Sequence, residues 1–389
     1  MTTPSGDRIV RASAHLLELP VDYPLKDEPV RYRMNLVMVE TESGARGYAV
    51  SRYPMPTSIH EFLVRQALPS LIGANVEQSE GIRNALYWEI SRTFASGVFI
   101  LGSSLIDQAL WDARGRILDR PVWKLLGGAS PELDAYITFG TYRYDIDELQ
   151  TLARRLVGEG HTALKMVLGA ADNPRQEIFG APDMKDLERD MRRVAAVREA
   201  IGPEVTLYVD ANKNPSLPMA RQYERRLREY SPAWFEDPVD AADPLLLRRL
   251  RDTSEIPIAA GGSNMPGTRA ARDFLLAEAV DILQPNVRDV GGFMVALRIA
   301  GMAEAFGVPV AMGGNWPEPN IHLHAAITNP GPIEFHLVGW GAGLQFFDGA
   351  SSPAGGRVAA PNAPGLGMTP KDGVIEEFAV LSDTVERAS

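Results

Sequence analysis

Eight short apolar runs follow one another between residues 130 and 350, most about 25 residues apart, and each ends in polar residues or glycine. They occupy 135–140, 163–169, 206–212, 233–238, 256–262, 281–287, 308–314 and 333–338. A run that is apolar on both faces suits a strand of a parallel sheet covered by helices on either side. The stretches between them carry apolar residues at helical spacing. In 186–201, Leu187, Met191, Val194, Ala195 and Val197 lie along one face, and Gly202-Pro203 stops the helix. Eight such units favour a closed (β/α)8-type barrel over an open doubly wound sheet, and in a barrel of this kind the carboxyl ends of the strands carry the chemistry.

Residues 1–128 follow another pattern. A strand at 31–40 turns at Ser43-Gly44 into a second at 45–50, and 81–120 reads as helical. The expected organisation is an α+β capping domain at 1–128, the barrel at 129–350, and a Gly- and Pro-rich tail at 351–389 that returns to the cap. The fold class is therefore α/β, a TIM-type barrel with an N-terminal α+β capping domain. None of the 389 residues is Cys, which excludes disulfides, thiolate nucleophiles and Cys-based metal sites. A net charge of −11 with no basic block argues against nucleic acid and anionic membranes as partners. No apolar run approaches the roughly 18–20 residues needed to span a bilayer. With a polar start lacking an apolar signal core, these features lead us to expect a cytoplasmic protein acting on a small molecule.

Five stretches carry a resemblance. Ala109-Leu110-Trp111-Asp112 through Pro121-Val122-Trp123-Lys124-Leu125-Leu126-Gly127-Gly128 ends the first domain. Gly160 to Lys165 would be the second barrel strand, and Val209-Asp210-Ala211-Asn212 and Trp234-Phe235-Glu236-Asp237-Pro238 the third and fourth. Pro361 to Gly367 lies in the tail. Together they closely resemble the mandelate racemase/muconate lactonizing group of the enolase superfamily, over nearly the whole chain. The resemblance implies a modified (β/α)7β barrel with a divergent first unit, and usually a homo-oligomer. It also implies removal of a proton α to a carboxylate, the enolate being held by Mg²⁺ on three carboxylates at the ends of strands three, four and five. A C–H beside a carboxylate is a very weak acid, so such a reaction needs both a cation to stabilise the dianionic intermediate and a positioned base.

The family pattern carries over only in part. Asp210 and Glu236 fall on the first two metal-ligand positions; the third falls on Gly262, where Asn264 or water could substitute, or an ammonium could neutralise the pair. Strand two usually reads Lys-x-Lys with the second Lys a base, but this chain has Lys165-Met166-Val167. The sixth-strand Asp aligns to Asn286, and its partner His to Gly313 or Gly314. A racemase of the usual two-base kind is therefore improbable, and so is a cycloisomerase relying on the missing Lys. Glu334 keeps the acidic position of strand eight that often helps polarise the substrate carboxylate.

Lys165 reads either as a salt bridge to Asp210 or as a binder of the substrate carboxylate or replacement base. Lys213 reads as a solvated loop residue or the base. Substrate contacts are expected from Asn212, Asn286, Asn315, Trp316 and Tyr53, with Tyr23 and Arg52 joining Tyr53 on cap segments 17–27 and 51–57. His322 and His324 read as structural. His336 shares Glu334's face of its strand, and Arg288 either clamps an anion or lies on the surface. The leading expectation is a lyase or isomerase for a small carboxylate, closer to acid-sugar dehydratases than to racemases, with Lys165, Lys213 and Glu334 catalytic and Mg²⁺ an open question. The alternative is a lapsed enzyme retained for binding, which should show a mouth filled by apolar side chains or a collapsed cap loop.

Overall fold

The computed structural model describes residues 7–89, 96–169, 182–240, 242–262, 265–312, 314 and 316–387. Eight parallel strands, β4 (Glu132–Gly140), β5 (Ala163–Val167), β6 (Thr206–Asp210), β7 (Phe235–Glu236), β8 (Ile258–Gly261), β9 (Ile282–Gln284), β10 (Val310–Met312) and β11 (Pro330–His336), pair in sequence order. The pairing of β11 with β4 closes the barrel. Seven of the eight strands are followed by a helix leading to the next, including Ile146–Gly158, Met184–Ile201 and Phe293–Ala305, which gives the (β/α)7β plan. Asp145 and Asp183 each close a capping box at the start of their helices.

Strand alternation sorts the side chains into two barrel-interior layers. Tyr136, Tyr208 and Trp234 meet low in the barrel, where Tyr208 and Trp234 stack at 3.8 Å and Trp234 meets Tyr136 edge-on at 5.5 Å. Two residues further along the same strands stand Thr138, Asp210 and Glu236. The aromatic layer is thus a dry floor beneath the polar one. Residues of the opposite parity, among them Met166, Val209, Phe235 and Phe335, pack outward against the helices in the main core.

The cap is an antiparallel sheet of β1 (Ile9–Val21), β2 (Val30–Thr41) and β3 (Arg46–Ser51), with the helix Val98–Ile117 packed on it. The sequence reading missed β1: residues 17–21, expected in a cap loop, belong to this strand. The helix expected at 81–120 is interrupted: described helices cover Ser79–Glu89 and Val98–Ile117. Beyond β11 the chain forms β12 (Phe347–Asp348), β13 (Arg357–Ala359), β14 (Thr369–Pro370) and β15 (Ala379–Glu386). β13 runs antiparallel beside β4, and β15 adds to the edge of the cap sheet by pairing with β1.

The motif residues that end the cap domain bind these pieces together. Buried Asp112 accepts hydrogen bonds from the Tyr48 N–H of β3 at 2.7 Å and the Leu366 N–H of the returning tail at 2.6 Å, and pairs with Arg116 at 2.9 Å. Trp123 donates through its indole to Pro361 O at 2.9 Å, while its backbone N–H donates to His322 Nδ1 at 3.1 Å. His322 Nε2 donates in turn to Leu366 O at 3.1 Å, which makes His322 a structural bridge. Among the described residues no helix is long and apolar enough to cross a membrane.

Candidate active site

A cavity of about 410 Å³ opens at the carboxyl ends of the barrel strands, between barrel and cap. Its floor holds an ion cluster. Lys165, 1 % exposed, places Nζ 2.7 Å from Glu236 Oε1, 3.1 Å from Glu334 Oε1 and 3.6 Å from Asp210 Oδ2. These side chains meet because β5, β6, β7 and β11 each turn one inward at the same height. Burial alone would lower the lysine pKa, but Glu236 and Glu334 outweigh it and push it well above the ordinary value. The ammonium is therefore fixed. Burial, and then Glu236, push Asp210 well up.

The remaining carboxylate oxygens are also held. Trp234 of the floor donates its indole N–H to Glu236 Oε2 at 3.1 Å. Asn212 N–H donates to Asp210 Oδ1 at 2.7 Å, and Glu334 accepts from Thr138 Oγ1 and from the Gly314 N–H. Asn212, Lys213 and Asp237 adopt left-handed backbone with φ of 49°, 69° and 41°. Such conformations are uncommon for residues with a Cβ and cluster at functional sites. Here they turn the ends of β6 and β7 into the mouth, where Lys213 Nζ lies 3.4 Å from Asp237 Oδ2. Burial raises Asp237 to about 6 despite Lys213.

Across the mouth, His336 lines the cavity two residues beyond Glu334. Burial lowers its pKa to about 4, with Lys165, Arg52 and Arg288 adding to the effect, so the imidazole is neutral at physiological pH. Three buried polar atoms of the lining have no hydrogen-bond partner among the described residues: His336 Nδ1, Gln284 Nε2 and Asp237 Oδ1. Buried polar groups are rarely left so, and three around one cavity mark where a ligand bearing both donors and acceptors would bind.

The cap covers the mouth on two sides. Arg288 Nη1 donates to Arg52 O at 2.7 Å, and Tyr53 OH donates to Arg288 O at 3.1 Å. Opposite, Tyr23 OH bonds Thr141 Oγ1, and Lys26 pairs with Glu148 at 2.6 Å. Arg52, Arg288, Asn212 and Lys213 reach the cavity. Tyr53, Asn286 and Trp316 stand behind its wall. Tyr53 braces Arg288. Asn286 caps the turn Val287–Val290, accepting from Arg288 N–H at 3.2 Å and from Asn320 Nδ2 at 3.1 Å. Trp316 packs edge-on against Phe347 at 5.3 Å. Asn315, with Gly313 and Asn264, lies outside the described residues. Sequence reasoning missed Thr138, Gln284 and Asp237 as lining groups. The alternation within each strand was the signal for the first two, since both stand two residues beyond an inward apolar position.

A third carboxylate beside Asp210 and Glu236 would come from position 262, which is glycine, with open space where a Cβ would lie. Among the described residues no three His, Asp or Glu side chains converge so as to hold a metal ion. Magnesium requires near-octahedral oxygen coordination at about 2.1 Å. Two carboxylates gripped by an ammonium do not supply it, so the residues present do not fit the magnesium cage that the resemblance implies.

An eight-stranded parallel barrel with a capping α+β domain and a polar site between them defines a class of capped TIM-barrel enzymes. Residues 28–127 match the family model of the mandelate racemase/muconate lactonizing enzyme N-terminal domain, and 148–374 match the enolase C-terminal domain-like model. The chain belongs to the mandelate racemase/muconate lactonizing enzyme group of the enolase superfamily. It is 31% identical over 352 residues to an arabinonate dehydratase of Saccharolobus solfataricus, covering 88% of this chain and 90% of the relative. It is 30% identical to a D-galactarolactone cycloisomerase of Agrobacterium fabrum, covering 95% and 98%. Among solved structures, an L-talarate dehydratase from a Polaromonas species, complexed with magnesium and L-glucarate, superposes with a TM-score of 0.83 at 26% identity, covering 98% of this chain and all of that one. The lapsed-enzyme reading finds no support: the mouth is lined by charged and polar groups rather than apolar ones, and the relatives are enzymes.

Proposed function

We propose that this protein is a lyase or isomerase of acid sugars, most simply a dehydratase that converts a polyhydroxy carboxylate to its 2-oxo-3-deoxy product. The observation that carries the reading is the cavity itself. A fixed ammonium lies at its floor, Arg52 and Arg288 stand on its cap side, and unpaired donors and acceptors line it at the right size for a sugar acid. In the proposed reaction Arg288 and Arg52 bind the substrate carboxylate, and the Lys165 ammonium at the floor helps stabilise the charge that develops on it as the α-proton leaves. His336, neutral and at the mouth, accepts that proton at an imidazole nitrogen. This assigns to His336 the role of base that the sequence reading gave to Lys165 or Lys213. Asp237 follows β7, four strands from β11 in the eight-stranded ring, and Lys213, which follows β6, pairs with it at 3.4 Å, so the pair sits on the side of the cavity away from His336. Lys213 donates a proton to the departing β-hydroxyl, the C–O bond breaks, water leaves, and the resulting enol tautomerises to the 2-oxo acid. Gln284 and Asn212 would read further hydroxyls.

The test is a panel of aldonates and aldarates assayed for 2-oxo acid as the semicarbazone, with α-proton exchange followed by NMR in D₂O. The expected result is turnover of at least one acid sugar. His336→Gln should lower kcat by about 10²–10⁴ with a smaller change in KM, the usual worth of a general base. Exchange without water loss would favour an isomerase. Neither exchange nor turnover across the panel would refute the reading.

A further inference from the structure

We infer that the Lys165 ammonium takes the place of the divalent cation in this protein, so that the centre is built to work without bound metal. Three observations converge. First, Gly262 removes one of three expected oxygen ligands, and among the described residues no other carboxylate fills that space: the Cβ direction at Gly262 is open. Second, the carboxylate edges that remain are taken. All six oxygens of Asp210, Glu236 and Glu334 face a protein cation or donor: Lys165 itself, the Trp234 indole, Thr138 Oγ1, or the Asn212 and Gly314 N–H groups. A cation bridging Asp210 and Glu236 would have to displace an ammonium that sits 2.7 Å from Glu236 and 3.6 Å from Asp210. Third, the described lining brings five carboxylates against four cationic side chains, close to balance without any added ion.

The choice between the two cations also follows from their chemistry. An ammonium directs three donors and tolerates irregular surroundings. Magnesium gives up its water reluctantly and demands an octahedron. The cluster offers three carboxylates spaced around one point at unequal distances, which suits the first and not the second. A fixed ammonium also keeps a single positive charge in a nearly dry site, where it acts strongly on a developing enolate.

This inference rests on the cluster being the active centre, but its test needs no substrate, so it fails or stands separately from the proposed reaction. MgCl₂ is titrated calorimetrically into chelator-treated, full-length protein and into Asp210→Asn, with metal content measured on the protein as purified. The expected result is no heat that depends on Asp210, and less than one-tenth equivalent of magnesium per chain. One-to-one binding at millimolar Mg²⁺ or below that Asp210→Asn abolishes would overturn the inference. The complementary variant is Lys165→Met/Gly262→Glu, which removes the ammonium and supplies a third carboxylate. It should gain Asp210-dependent Mg²⁺ binding and a rise in Tm with MgCl₂ that the parent lacks. If that variant does not fold, the parent titration alone decides.

Discussion

Lys165→Met tests how the floor of the site is held together. The substitution keeps the length and apolar stem of the side chain and removes the one ammonium that, among the described residues, lies within 4 Å of all three buried carboxylates. The gross attraction lost is large: a pair at about 3 Å is worth roughly 5 kcal/mol even at an effective dielectric constant near 20. The cost is nevertheless capped, because a carboxylate left unpaired can take up a proton. A Glu of ordinary pKa near 4.3 becomes neutral at pH 7 for about 4 kcal/mol, and at pH 5 for about 1 kcal/mol. Burial and Glu236 already push Asp210 up in the parent, and the added proton is shared by the carboxyl cluster as a whole. The sign follows: the variant raises a folded-state carboxyl pKa above its unfolded value. Its stability relative to the parent is therefore lost as pH rises, by about 1.4 kcal/mol per unit above roughly pH 4.3. Urea denaturation of parent and variant between pH 5 and 8 measures the difference. A penalty below about 1 kcal/mol at pH 8, or one that does not change with pH, would refute the claim that the ammonium compensates these carboxylates.

Acidification should destabilise the parent through its buried imidazoles. Burial holds His322 and His324 near pKa 4, below the unfolded value, so stability falls from about pH 6.5 down to 4, by about 3 kcal/mol for each His over the whole range. An ordinary pKa for either imidazole by NMR titration would overturn this. Trp234→Phe leaves Glu236 Oε2 without its indole donor and should cost about 1–3 kcal/mol in urea unfolding, with a fall in activity. An unchanged midpoint would show that solvent already satisfies the oxygen. Gly47→Ala would put a Cβ 2.1 Å from Ala109 O and 2.7 Å from Ala113 Cβ, forcing the β3–helix contact apart. The loss should be about 3 kcal/mol or more, read as a lowered Tm, and a Tm within a degree of the parent would mean that the helix shifts freely.

The barrel was legible because its strands lie in runs that are mostly apolar on both faces and that stop at polar residues or glycine. The run 163–169, for example, becomes β5 at Ala163–Val167, and 206–212 becomes β6 at Thr206–Asp210. The first cap strand was not legible, because its polar residues, Arg11, Ser13, His15 and Glu18, break the apolar pattern; Ser13 and His15 are buried against each other and Ser382. In the site, Lys165, Asp210, Glu236 and Glu334 could be placed by motif because motif and strand parity agree. Asn286 and Trp316 could not. Whether a residue just past a strand turns into the cavity or into the wall depends on the first peptide of the following turn, and Asn286 uses its side chain to cap that turn. Likewise Lys213 and Asp237 reach the mouth through left-handed backbone, which neither residue type signals in the sequence.

The pairing of β1 with β15 joins residues far apart in the chain: the His15 ring bonds the Ser382 hydroxyl across 367 positions. Contacts of such separation form late, since the loop between them must close first. All eight barrel strands lie inside that loop. During synthesis the barrel can therefore close while β1 still presents a bare edge, and that edge is open to any other strand in reach until the tail arrives. Chains stalled or clipped before residue 379 would hold a finished barrel under an unfinished lid. Their failure would be one of self-association through that open edge rather than of barrel collapse.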